Sequence, residues 1–152
     1  MFFHIRQRSL MACIPLALLL LLGACAEEPY DAPNAELAAG VSGAKDTPIA
    51  LLTDGSPNAV DTVSHGRLYM TFPAAGSSYT LTTSGASSDI SLEVYASAGY
   101  SLIHAFCDNS FGATDESCTI AGLTAGSTHG LVLTEWDGAA SYPLTIAITA
   151  VP

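Results

Sequence analysis

The sequence predicts an all-β protein built around one antiparallel β-sandwich of about eight or nine strands. Three observations carry this. First, apolar residues after position 47 recur with a period of two, which places alternate side chains on opposite faces of a strand. Second, short clusters rich in Gly, Ser, Asn, Asp and Pro punctuate the runs: TDGSPN, PAAGSS, SGASSD, SAGYS, TAGST and WDGAAS. Third, no helical segment intervenes between them, and short strands at this spacing are the pattern of a sandwich.

The elements justify themselves in order. In GRLYMTF, Leu68, Met70 and Phe72 share one face, and Arg67, Tyr69 and Thr71 the other. In DISLEVYA, Ile90, Leu92, Val94 and Ala96 alternate with Ser91, Glu93 and Tyr95. In SYPLTIAIT, Tyr142, Leu144, Ile146 and Ile148 alternate with Pro143, Thr145 and Ala147. YTLTT and HGLVLTEW continue the theme, and Thr, Val, Ile and Tyr are the residues that pleated surfaces favour. An internal echo, A-G-S-[ST]-[YH]-x-L, occurs at 75–81 and again at 125–131. It predicts two equivalent strands, one in each half of the sandwich. By parity with Leu131 and Leu133, His129 points inward as a packing residue.

Residues 1–24 read differently. Arg6 and Arg8 precede an apolar run at 10–22. Thirteen residues fall short of the roughly 20 that a membrane span needs, so the segment reads as a secretory signal. The tetrad Leu22-Gly23-Ala24-Cys25 resembles the lipobox of bacterial lipoproteins. That resemblance implies cleavage before Cys25, a diacylglycerol thioether on its sulfur, and an acylated new amino terminus. Two or more acyl chains make attachment stable, each buried methylene adding about 0.8 kcal/mol. Ala26 follows where an Asp would resemble an inner-membrane retention signal, so the outer membrane is favoured in a Gram-negative envelope. The chain is thus expected to be exported, with a signal at 1–24, a lipidated cysteine and disordered tether at 25–46, and the sandwich at 47–152. The tether expectation rests on its Ala-, Pro-, Gly- and acid-rich composition, which offers little surface to bury.

Cysteine usage follows from that address. Cys13 leaves with the signal and Cys25 carries lipid, so Cys107 and Cys118 are expected to form a disulfide in an oxidising compartment. C-x10-C is neither a zinc spacing nor a C-x-x-C redox motif. Charge excludes one class of partner. Beyond residue 24 the cations are Lys45 and Arg67 against 14 acids, a formal charge of −12. Nucleic acid and anionic lipid headgroups both call for basic patches, so neither is expected as a partner.

The ordered motifs from YMTFPAAGSSYTL through SDISLEVYASAG to LTAGSTHGLVLTEW and ASYPLTIAI resemble the bacterial pre-peptidase C-terminal domain across roughly residues 47–150. The resemblance implies a jelly-roll-like sandwich, usually appended to secreted proteases, some of whose relatives bind collagen, carbohydrate or calcium. Three departures stand out. No protease domain accompanies it, Ser91 replaces the second Asp of the family's D-l-D-L strand, and His129 replaces a Tyr.

Candidate sites follow. Asp108, Asn109, Asp115 and Glu116, enclosed by the two cysteines, are the oxygen ligands that a calcium ion would use, the alternative being a solvated acidic loop. No other cofactor is expected. Tyr69 and Tyr95, at outward strand positions, and Trp136, near a strand end, are candidates for stacking on a sugar or clamping a peptide. The chain lacks G-x-S-x-G in a strand–turn–helix setting, H-E-x-x-H, a P-loop and a dinucleotide fingerprint. The expectation is therefore a non-catalytic, lipid-anchored envelope protein that binds a polysaccharide, a peptide or an envelope protein. The alternatives are a structural or stress-related lipoprotein without a small ligand and, last, a small hydrolase.

Overall fold

The computed structural model describes residues 35–37, 40–139 and 142–152. The signal segment and Cys25 lie outside the described residues. Ten strands are seen among those described: β1 (Ala35–Glu36), β2 (Ile49–Ala50), β3 (Asn58–Asp61), β4 (Gly66–Pro73), β5 (Ser78–Ser84), β6 (Ile90–Tyr95), β7 (Ile103–Cys107), β8 (Ser117–Ala121), β9 (Thr128–Glu135) and β10 (Pro143–Ala150). The described residues include no helix.

Eight of these strands form the sandwich. One sheet has the order β4-β9-β6-β7 and the other β3-β10-β5-β8, with every pairing antiparallel. The pairings nest: β6 with β7, β5 with β8, β4 with β9, β3 with β10. The chain is thus a long hairpin, turned at the 96–102 connection and rolled so that successive pairs fall in alternate sheets. This is the jelly-roll arrangement. The short β1 and β2 run parallel to β4 along its outer edge.

The period-two reading locates the core. Leu68, Met70, Phe72, Leu81, Ile90, Leu92, Val94, Leu131, Leu133, Leu144, Ile146 and Ile148 are buried in one cluster between the sheets. The echoed strands are β5 and β9, central strands of opposite sheets. Their echoed residues meet at Phe72, whose ring lies 6.1 Å from that of Tyr79 and 5.8 Å from that of His129. The two Gly-Ser turns are joined through Ala74, whose N–H donates to Ser127 O at 2.9 Å while its carbonyl accepts from Gly126 N at 2.7 Å.

One boundary moves. The compact unit begins upstream of residue 47. Residues 35–36 pair with β4, Ala44 is buried, and Gly43 O accepts from Tyr69 N at 2.8 Å. The polar composition of 40–46 satisfies itself locally: the Asp46 carboxylate takes Gly40 N, and Thr47 Oγ1 donates to Val41 O. This part of the expected tether is a strap on β4.

Candidate functional site: the β7 edge and its disulfide loop

The sandwich has two open sides where its sheets end. On one, β7 ends the first sheet and β8 the second. Cys107 and Cys118 join them, with Cα atoms 5.9 Å apart, so the expected disulfide fastens the free edges of opposite sheets together. His104 makes a second tie. Val94 faces Ala105 and Tyr95 faces Ile103, which leaves His104 as the extra residue of a bulge. Turned out of the ladder, its Nε2–H donates to Ala121 O on β8 at 2.8 Å.

The acidic residues of the loop serve the loop. Glu116 is buried, and its carboxylate accepts from Asn109 N at 2.7 Å and Ser110 N at 3.3 Å. Asp115 accepts from Ala86 N at 2.9 Å, tying the loop to the segment before β6. The Asn109 amide donates to Ser117 O. Asp108 is half-buried beside them. Among the described residues no group of three or more His, Cys, Asp or Glu side chains is arranged to hold a metal. Of the four residues singled out for calcium, Asp115 and Glu116 spend carboxylate oxygens on backbone N–H groups of the loop and its neighbour segment.

The aromatic candidates fall differently from their expected exposure. Tyr69 and Tyr95 do face outward from their sheet, but they are only 4% and 8% exposed. Tyr100, in the 96–102 connection, folds back over them with edge-on ring contacts at 5.0 and 5.6 Å, closing a second small core with Val132. Gly130 makes room for it: a Cβ there would lie 2.6 Å from the Tyr100 ring. The Tyr100 hydroxyl donates to Met70 O at 2.8 Å, and Tyr95 donates to Glu93 Oε2 at 2.6 Å. Arg67 stands 3.7 Å from the same Glu93 carboxylate, and the Lys45 ammonium lies 6.0 Å over the Tyr69 ring. Burial raises the Tyr100 phenol to about 12. Burial, then the Glu93 hydrogen bond and charge, raises that of Tyr95 further. With their faces covered, neither ring is available to a sugar or peptide. Trp136, just past β9, is half-buried and donates from Nε1 to Ser91 Oγ at 2.9 Å.

Sequence reasoning missed two features. The buried Glu135 carboxylate accepts from four backbone N–H groups, those of His65, Asp137, Gly138 and Ala139, at 2.7 to 3.3 Å. Gly138, at φ 73°, packs against the His65 ring so closely that no side chain fits there. The other feature is exposed apolar surface. Leu102, Ile103, Phe106 and Phe111 are 65%, 52%, 55% and 73% exposed, all within ten residues at and beside β7. The signal was available: IHAFC carries no charge, whereas free edges usually carry one. On the opposite open side, a groove of about 480 Å³ lies between β3 and the β1–β2 strap, lined by Leu37, Ile49, Val60 and Leu68. Those four side chains belong to the core cluster or pack against it.

His129 is buried with Nδ1 3.2 Å from Tyr95 O and Nε2 3.3 Å from Thr124 O, the inward packing position expected of it. Both ring nitrogens face acceptors, so the residue links β9 to the end of β6 and to the loop before β9. No family model matches the chain, and no curated protein matches it significantly.

Proposed function

We propose that this is a non-catalytic, lipid-anchored envelope protein of the pre-peptidase C-terminal type whose sandwich serves as a module for binding a protein partner. The observation that carries the reading is the apolar stretch at the β7 edge. A small domain that exposes four large hydrophobic side chains within ten residues, at and beside a strand edge with a covalently fixed loop, has a surface suited to association rather than to solvation alone. The tyrosines covered by Tyr100 argue against a sugar-stacking platform on the first sheet, which favours peptide or protein over polysaccharide. The jelly-roll topology agrees with the architecture the family resemblance implies, although unrelated proteins share that topology. Export and lipidation at Cys25 rest on the signal-like segment and its tetrad.

The test is site-specific photocrosslinking in intact cells. A photoreactive phenylalanine analogue replaces Phe106 in the full chain, and a control carries it at Thr82, on the outer face of the opposite sheet. Crosslinks to a protein are expected from position 106 and not from 82. Equal yields, or none from either, would favour the alternative of an envelope lipoprotein that binds nothing through this edge.

A further inference from the structure

We infer that the β7 edge takes up a cationic, extended polypeptide segment as an added strand; this rests on the reading of that edge as a protein-binding surface. The argument begins with the sheet ends. The β4 end is covered by β1 and β2. Three ends have no further strand among the described residues: β3, β7 and β8. A strand end presents alternate N–H and C=O groups outward, and a partner strand satisfies them. The three ends differ in protection. β3 exposes Asp61, a charge that discourages pairing, and β8 exposes Ser117 and Thr119, which water solvates well. β7 exposes Ile103 and Phe106 instead. These two stand opposite Tyr95 and Glu93, so the bulge at His104 brings them to the same outer face despite their spacing of three. An incoming strand therefore meets both a backbone ladder and apolar side chains on one face. The bulge confines the ladder to a few residues, so the segment is short.

Charge selects what enters. Both Lys and Arg residues beyond position 24 lie on the outer face of this sheet, Arg67 beside Glu93 and Lys45 over Tyr69. The connection leaving β7 carries Asp108, Asp115 and Glu116 with no Lys or Arg in it. A second copy of this chain brings the same acidic excess to the edge and is repelled. A segment alternating Lys or Arg with aliphatic residues is drawn by the acidic excess of the chain, a formal charge of −12 beyond residue 24, and lays its aliphatic side on Ile103 and Phe106.

The experiment uses the full lipidated chain in a neutral detergent. The probe is a fluorescent ten-residue peptide of alternating Lys and Val, read by anisotropy. Controls are a Glu–Val peptide and a Lys–Val peptide N-methylated at alternate backbone amides on its pairing edge. At least tenfold weaker binding is expected for each control and for Phe106→Ser, with a several-fold loss for the Lys–Val peptide when salt is raised from low to high. Equal binding of the N-methylated peptide would overturn strand addition. Equal binding of the Glu–Val peptide would overturn charge selection. Self-association abolished by Phe106→Ser would identify a second copy as occupant and overturn the proposal. If position 106 still crosslinks in cells while the N-methylated peptide binds undiminished, the protein-binding surface stands and the added strand falls; loss of both removes both.

Discussion

Glu135 shows how one side chain organises two connections. Its carboxylate gathers N–H groups from the β3–β4 turn and from the β9–β10 turn, so both turns are fixed at the same end of the sheet. Replacing it by Ala leaves several donors without that acceptor in a partly buried setting, at about 1–3 kcal/mol for each one that water does not reach. Glu135→Ala is expected to lose at least about 3 kcal/mol in urea unfolding, with Glu135→Gln recovering part because one oxygen still accepts. A loss below about 1 kcal/mol would mean the turns hold themselves. The tyrosine cluster gives a pH signature. The phenols of Tyr95 and Tyr100 ionise later in the folded chain than in the unfolded one, so their contribution is fully present below the unfolded value of 10.0 and declines as pH rises through the folded values, about 12 for Tyr100. Stability should therefore fall between pH 10 and 12, and absorbance at 295 nm should show two tyrosines ionising only as the fold opens. Early, non-cooperative titration of all tyrosines would contradict the burial of Tyr95 and Tyr100.

At the scale of elements, alternation told which way each strand faces but not whether that face is covered. Leu68, Met70 and Phe72 lie where their spacing put them, and so do Ile90, Leu92 and Val94. Tyr69 and Tyr95 also point outward as expected. Their burial depends on Tyr100, which lies in a connection with φ 51° and no periodicity to betray its return over the sheet. In the same way β6 alternates Ser91, Glu93 and Tyr95 with apolar neighbours, yet every residue in it is buried because the outer side is covered too. The disulfide is an element-scale device of another kind: it fastens β7 to β8, strands of different sheets. Closing a loop of this length contributes about 3 kcal/mol in the chain-entropy model. Cys107→Ser with Cys118→Ser is expected to lower the unfolding free energy by about 2–4 kcal/mol and to speed amide exchange first in β7 and β8, leaving β9 protected. Uniform loss of protection across all strands would show that the link supports the whole sandwich rather than its edge.

For the whole molecule, the nesting of strands was the least legible feature. Period and turns predict eight or nine strands, but their pairing is set by contacts far apart in sequence, such as Asp61 with Pro143. The candidate site divides similarly. The cysteine pair was readable from the address, whereas the use of Asp115 and Glu116 on backbone N–H groups depends on loop geometry that spacing does not encode. The address itself makes the molecule-scale prediction. If Cys25 carries lipid, acyl chains display the strap and sandwich from a membrane. Cells fed an alkyne analogue of palmitate should label the wild-type chain and not Cys25→Ala. The variant's sandwich should still melt at the wild-type temperature, because Cys25 lies upstream of the first strand described, Ala35–Glu36. Label retained in Cys25→Ala would place the modification elsewhere and defeat the lipobox reading. Label lost together with a lowered melting temperature would show instead that the N-terminal segment contributes to the fold.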